Sequence, residues 1–141
     1  MTAFFDTSAV IALADAAQLN HAWTLSEFTT HQAEGPIVIN DIVYAELSAG
    51  MPDQQAVDEV VARFGLQRAS RDDVALFDAG QCFKLYRSAR KGPKSNVLPD
   101  FFIGATARSL GVPLVTANPK DFRGYFSGLT IVHPGGREII P

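Results

Sequence analysis

Four acidic residues occupy comparable places in this chain. Asp6 ends the apolar run Ala3-Phe4-Phe5, and Glu46 lies a few residues beyond Ile37-Val38-Ile39. Asp100 opens the periodic stretch that contains Ile103, Ala107 and Leu110, and Asp121 follows Leu114-Val115-Thr116 by one polar turn. Each has an ordinary role available to it: Asp caps helices and fills turns, and a mid-helix Glu normally faces solvent. What they share is an address. If the apolar runs are strands, all four carboxylates sit just past a strand's carboxyl end or at the start of the helix beside it, where α/β sheets collect ligands. Gathering acids is electrostatically unfavourable unless protons or cations intervene. With no His or Cys set to match, hard oxygen ligands call for Mg²⁺ or Mn²⁺. Ions of that kind acidify a bound water and hold the oxygens of a phosphodiester.

The elements that must position these acids can be read from pattern and punctuation. Ser8 is a candidate N-cap for a helix over 9–17, with Val10, Leu13 and Ala14 on one face. A second helix is predicted over His21–Gln32, with Trp23, Leu25 and Phe28 partly buried; His21 and His31 have no ligand partners in the pattern. Asn40 or Asp41 caps a third helix, which puts Glu46 in its second turn. Asp53 caps a fourth, with a stripe of Val57, Val60, Val61 and Phe64, and Leu66-Gln67-Arg68 reads as a short edge strand. Ser70-Arg71-Asp72-Asp73 resembles a capping box ahead of a long helix with Val74, Phe77, Gln81 and Leu85 along one side. Gly111 and Pro113 end the helix that Asp100 opens. Leu114-Val115-Thr116 is then a strand closed by Asn118-Pro119, which places Thr116, Asn118 and Asp121 at the rim; Leu129-Thr130-Ile131-Val132 is the last strand. The alternation implies an α/β fold, a central parallel β-sheet flanked by helices on both faces, as one domain over residues 1–141.

Composition excludes several classes. At 47% hydrophobic and 19% charged, the chain is globular rather than disordered. A lone cysteine, Cys82, can form neither an internal disulfide nor a cysteine metal site, and the N-terminus has no secretory pattern, so a cytoplasmic protein is expected. No stretch approaches the length of a membrane span. The net charge of −3 conceals an asymmetry. Lys84, Arg87, Arg90, Lys91 and Lys94 fall together, with no acid between Asp78 and Asp100. That strip is either a solvated helix end or a surface contacting the phosphates of RNA.

The flanking residues carry a family resemblance. Phe5-Asp6-Thr7-Ser8, Asn40-Asp41-Ile42-Val43-Tyr44-Ala45-Glu46-Leu47, Asp100-Phe101-Phe102-Ile103-Gly104-Ala105-Thr106-Ala107 and Leu114-Val115-Thr116-Ala117-Asn118-Pro119-Lys120-Asp121-Phe122 occur in order across the chain. Together they resemble PIN-domain proteins, and among them the VapC-type toxins of toxin–antitoxin pairs. The resemblance implies a metal-dependent endoribonuclease whose acids are Asp6, Glu46 and Asp100, with Thr7 and Thr116 as polar supports. For the fourth acid, relatives carry either Asp at the place of Asn118 or Asn there with an Asp three residues later, as in Asp121 here. It further implies a homodimer and a small antitoxin that covers the site.

Two other readings fit parts of the pattern. A receiver-type phosphoacceptor domain also gathers acids and Mg²⁺ at strand ends, but it needs paired acids after its first strand and a mid-chain acceptor Asp at a strand end. Here there is a single Asp6, and Asn40-Asp41 after Ile39. A PIN-like fold used only for binding, without catalysis, is the second.

Overall fold

The computed structural model describes residues 2–89 and 97–141. Its elements are β1 (Phe4–Phe5), α1 (Thr7–Ala14), α2 (His21–Gln32), β2 (Val38–Ile39), α3 (Asp41–Ala49), α4 (Gln54–Arg63) and β3 (Gln67–Arg68). These are followed by α5 (Asp73–Ser88), α6 (Val97–Leu110), β4 (Leu114–Val115), a 3₁₀ turn (Pro119–Asp121), β5 (Thr130–His133) and β6 (Gly136–Ile139). The strands form one sheet in the order β3-β2-β1-β4-β5-β6, parallel except for β6. A receiver domain is wound 2-1-3-4-5, so the observed order removes that reading.

The strands are short, yet the four central ones are buried on both faces. Phe4, Phe5, Val38, Ile39, Leu114, Val115 and Ile131 have no exposed surface. Apolar runs without polar alternation are what a parallel sheet covered by helices on both sides requires. β3 presents Gln67 and Arg68 to solvent, as an edge strand can. The antiparallel β6 was not anticipated, although Pro134-Gly135 between paired His133 and Gly136 is a two-residue hairpin connection.

Among the described residues, four helices begin with an Asx side chain accepting a main-chain N–H. Asp6 caps α1, Asn40 caps α3, Asp53 caps α4 and Asp72 caps α5. Two expected caps are therefore displaced. Ser8 and Ser70 do not cap, because Asp6 and Asp72 are already in extended conformation one step before helical geometry begins. Helix α1 also stops early. The Asp15 carboxylate takes the Ala17 N–H at 2.9 Å, which turns the chain before residue 17.

Helix α5 is rotated relative to its apolar pattern. Val74, Phe77 and Leu85 are 72%, 71% and 62% exposed, while Ala75, Ala79 and Cys82 are buried. The small residues allow α5 to lie close against α6. A two-pronged ion pair from Arg108 to Asp78 (Nη2 to Oδ2, 2.6 Å; Nε to Oδ2, 3.2 Å) fixes the rotation. Leu25 of α2 is likewise exposed, whereas Trp23 and Phe28 pack on the core. In α6 the close approach is made by Gly104. A Cβ there would lie 2.4 Å from the Phe126 ring. Among the described residues no helix is long and apolar enough to cross a membrane.

Candidate active site

β1 delivers Asp6 to the carboxyl edge of the sheet, where its N–H continues the ladder to the Val115 carbonyl at 3.1 Å. The side chain is 5% exposed. Its Oδ1 accepts the Ala9 N–H at 2.9 Å and the Ser8 hydroxyl at 2.6 Å. Burial pushes the carboxyl up to about 6; hydrogen bonds from Ser8, Thr116 and Ala9 oppose that rise, and the charge of Glu46 adds to it. Among the described residues the groups that bond Asp6, those of Ser8, Thr116 and Ala9, are all neutral, so its charge is hydrogen-bonded there without a cation.

Glu46 reaches the same place from α3. The Thr7 hydroxyl donates to its Oε1 at 2.7 Å, tying the first turn of α1 to the second turn of α3. Thr116, fully buried at the end of β4, continues the ladder through its N–H to Val132 and accepts the Asn118 N–H on Oγ1 at 2.9 Å. Ser8 links these two sides. Beyond its bond to Asp6 it accepts the Ala117 N–H at 3.0 Å and stands 3.4 Å from the Thr116 hydroxyl. Thr7 and Thr116 thus support the acids by direct contact or through one hydroxyl. Ser8 is a third support that sequence reasoning assigned to capping.

Asp100 lies in the first turn of α6 and is half-buried. Helix α6 runs back into β4 through Gly111–Pro113, so its N-terminal turn lies at the carboxyl edge with Asp6. The position of α6 beside α3 is set by Asn40. While its Oδ1 caps α3, its Nδ2 donates to Thr106 Oγ1 at 3.1 Å and to the Phe102 carbonyl at 3.4 Å. Asp121, half-buried, closes the 3₁₀ turn, with its N–H on the Asn118 carbonyl at 3.3 Å. The Asn118 side chain is exposed and makes no cap hydrogen bond.

The structure therefore forms two hydrogen-bonded groups, Asp6–Ser8–Thr116 and Glu46–Thr7, that adjoin at the neighbouring residues Asp6 and Thr7, with Asp100, Asn118 and Asp121 on the same edge. Among the described residues, no three carboxylate, imidazole or thiol groups stand close enough to enclose an ion. The donor set nevertheless fits a hard cation: it is entirely oxygen, and it contains a buried acid with no counter-charge among the described residues. The histidines are occupied elsewhere, His21 against the Ala12 carbonyl, His31 against Glu27 and His133 near Glu138. Of the basic strip, Lys84 and Arg87 are exposed on α5, and Arg87 stands over the Phe83 ring. Arg90, Lys91 and Lys94 lie outside the described residues.

Comparison with known proteins agrees with this layout. The chain superposes on the DNA-bound VapBC from Salmonella typhimurium with a TM-score of 0.64, at 20% identity over 93% of this chain and 96% of that one. VapBC-1 from nontypeable Haemophilus influenzae gives 0.63, at 21% identity over 86% and 90%. Mycobacterium tuberculosis VapC20, a toxin described as cleaving the sarcin-ricin loop, gives 0.53 at 15% identity over 82% and 87%. A search of curated proteins finds no significant match. The similarity to the solved structures is one of fold. The PIN domain model, however, matches residues 3–125, nearly the whole of the parallel sheet and the edge that carries the acids, and the chain belongs to the PIN domain family.

Proposed function

We propose that this chain is a divalent-metal-dependent endoribonuclease and the toxin of a toxin–antitoxin pair. The observation that carries the reading is Asp6, buried, raised to about 6, held beside Glu46 and, among the described residues, bonded by neutral groups. Asp6, Glu46 and Asp100 would hold Mg²⁺ or Mn²⁺, with Asp121 as a fourth acid and Asn118 able to offer an amide oxygen. Such an ion supplies Lewis acidity and acidifies water for attack on a phosphodiester.

The chain's own groups do the positioning. Thr7 fixes one oxygen of Glu46 and does not occupy the other. Ser8 and Thr116 hold the Asp6 carboxylate in one orientation across the β1–β4 boundary. Lys84 and Arg87, continued by Arg90, Lys91 and Lys94, supply phosphate contacts that neutralise charge without reading sequence.

Several structural neighbours are toxin–antitoxin complexes, which supports a small cognate antitoxin as partner. A cationic antitoxin side chain could offset the charge of the acids in place of a cation. The exposed stripe Val74, Phe77 and Leu85 on α5 supports a homodimer, since burying it needs a second surface. A cytoplasmic setting follows from this role.

A second reading, a PIN fold that binds without cutting, draws on the lack of a three-acid cluster among the described residues. Incubation of purified protein with total RNA separates the two. The nuclease reading expects new RNA ends in Mg²⁺ or Mn²⁺, none in EDTA, and none from a correctly folded Asp100→Asn variant. Cleavage that survives both EDTA and Asp100→Asn would sink it.

A further inference from the structure

Beside the acids, the carboxyl edge carries a second feature. A pocket of about 290 Å³ opens between the start of α3, the β3–α5 loop and α6. Its walls are mainly apolar, formed by Ile42, Ala75, Leu76 and Phe102, with Thr106 on one side and Asp72 among the loop residues that bound it. Resting on the ribonuclease reading above, we propose that this pocket receives one unstacked base of the RNA and so selects the position of the cut.

The first argument is placement. Asn40 follows β2 and Ala69 follows β3, and both line the pocket. β2 is the strand next to β1, and β3 is one further out. At about 4.8 Å per strand, the pocket lies roughly 5–10 Å sideways from Asp6. That is the scale of one or two nucleotide steps along an unstacked strand.

The second argument is mechanical continuity. Ile42 precedes Glu46 by one turn of α3, and Phe102 lies two residues after Asp100 in α6. The two helices that carry acids therefore also carry the pocket walls. Asn40 bolts them together, so the distance from pocket to acids is fixed before RNA arrives. Within that bolt the Asn40 amide and Thr106 hydroxyl satisfy each other and the Phe102 carbonyl. They form a finished floor and do not compete for a ligand's hydrogen bonds.

The third argument is chemistry. A mainly apolar pocket with a half-buried aromatic ring, that of Phe102, suits a base face, and single-stranded RNA is read chiefly by stacking of splayed bases. Stacking a base on an aromatic side chain corresponds to roughly a 5- to 150-fold gain in affinity. Discrimination falls to the rim. The Asp72 carboxylate accepts from the Val74 N–H and from the Ser109 hydroxyl, which holds it in place and keeps it ionised. An ionised acceptor there favours a base with an exocyclic amino group, so uracil should be the weakest occupant.

The probe is a 2′-O-methyl oligoribonucleotide, which cannot be cleaved by attack of its own 2′-OH, titrated against the full chain in EDTA. An abasic site is walked through every position. Wild type should lose about tenfold in affinity at one position, and at that position uracil should bind worst. Leu76→Trp, a change at an exposed wall residue that fills the mouth, should flatten the scan; so should Phe102→Leu, which removes the ring. A flat scan in wild type, or one that both variants leave intact, overturns the pocket assignment while overall RNA binding stands. An intact position-specific scan without EDTA-sensitive cleavage keeps the base pocket and removes the nuclease reading. Loss of all oligonucleotide binding in EDTA overturns the pocket, and cleavage of total RNA in Mg²⁺ then decides the nuclease reading by itself.

Discussion

Replacing Asp6 by Asn isolates the electrostatic cost on which the candidate site depends. The carboxyl rises from 3.8 to about 6 on folding, with burial as the main cause. At 1.36 kcal/mol per pH unit, the ionised form is therefore about 3 kcal/mol less favourable in the folded chain than in the unfolded one. The sign follows from which state loses its proton first. Below about pH 4 both states are protonated at this position and it costs nothing. Between about 4 and 6 the unfolded chain ionises while the folded chain does not, and stability falls. Above about 6 both are ionised and the loss of about 3 kcal/mol is complete. Asn has no such titration. It can still accept the Ala9 N–H and the Ser8 hydroxyl, and as an N-cap it ranks with Asp. In EDTA at pH 8 Asp6→Asn should therefore be more stable than wild type by about 2–3 kcal/mol. With an unfolding entropy of about 2.1 cal/mol/K per residue, that is a Tm higher by roughly 7–10 °C. At pH 4 the two should melt together. Mg²⁺ at about one hundred times its Kd should close the gap at pH 8, and at about one thousand times should reverse it, because the ion stabilises the folded state by about 2.7 and about 4.1 kcal/mol respectively and the variant binds it poorly. Calorimetric melts from pH 4 to 8, with EDTA and with Mg²⁺, make the measurement. A gap in EDTA that does not change with pH would refute the reasoning, as would a variant less stable at pH 8.

The fourth acid is decided by titrating Mn²⁺ into three proteins by calorimetry. Asp121→Asn should lose measurable affinity, and Asn118→Asp should gain it if that exposed side chain turns toward the acids; a curve for Asp121→Asn that overlays wild type would leave three acids. Changing Lys84 and Arg87 together to Gln should lower the slope of log affinity for single-stranded RNA against log salt by about 1.4, at about 0.7 per phosphate contact, without altering metal affinity. An unchanged slope would return both residues to plain solvation. Gly104→Ala places a methyl 2.4 Å from the Phe126 ring, and overpacking of that kind should cost about 1–3 kcal/mol in denaturant unfolding. A neutral result would show that Phe126 has room to move.

The parts of the molecule legible from sequence are those written in local signals. Apolar runs ending in Asp6, Asn40 and Thr116 mark strands, Asx residues mark helix starts, and Gly111-Val112-Pro113 marks the end of α6. Since every βα unit of a parallel sheet points its strand ends to one edge, the shared address of the four acids followed from the alternation alone. What escaped needed two distant segments at once. Ser8 sits where a cap is common, but its partners Thr116 and Ala117 are more than a hundred residues away and become neighbours only because β4 pairs with β1. The rotation of α5 escaped for another reason. Val74, Phe77 and Leu85 make a stronger apolar stripe than Ala75, Ala79 and Cys82, yet the small residues allow the closer approach to α6. Periodicity weighs hydrophobicity and is blind to fit. The second role of Asn40, bolting α3 to α6, was hidden behind its first, the cap.

These escaped details show how the candidate site is held in place, among the described residues, by neutral donors. Asp6 and Glu46 could each have been steadied by a Lys or Arg, as buried acids commonly are. They are held instead by Ser8 and Thr7 hydroxyls and by the Ala9 N–H, which set direction without cancelling charge. A built-in cation would stabilise the empty protein and then compete with any metal. Neutral donors leave the cost of burying the Asp6 charge in place, with a smaller addition from Glu46, so a cation bound there would recover that forgone stability as affinity. The same arrangement is indifferent to the source of that charge. A divalent ion and a guanidinium carried in on a partner both relieve Asp6, but the guanidinium brings no water to activate. On this argument, occupation of the edge by a cationic side chain would stabilise the fold and silence the chemistry in one step.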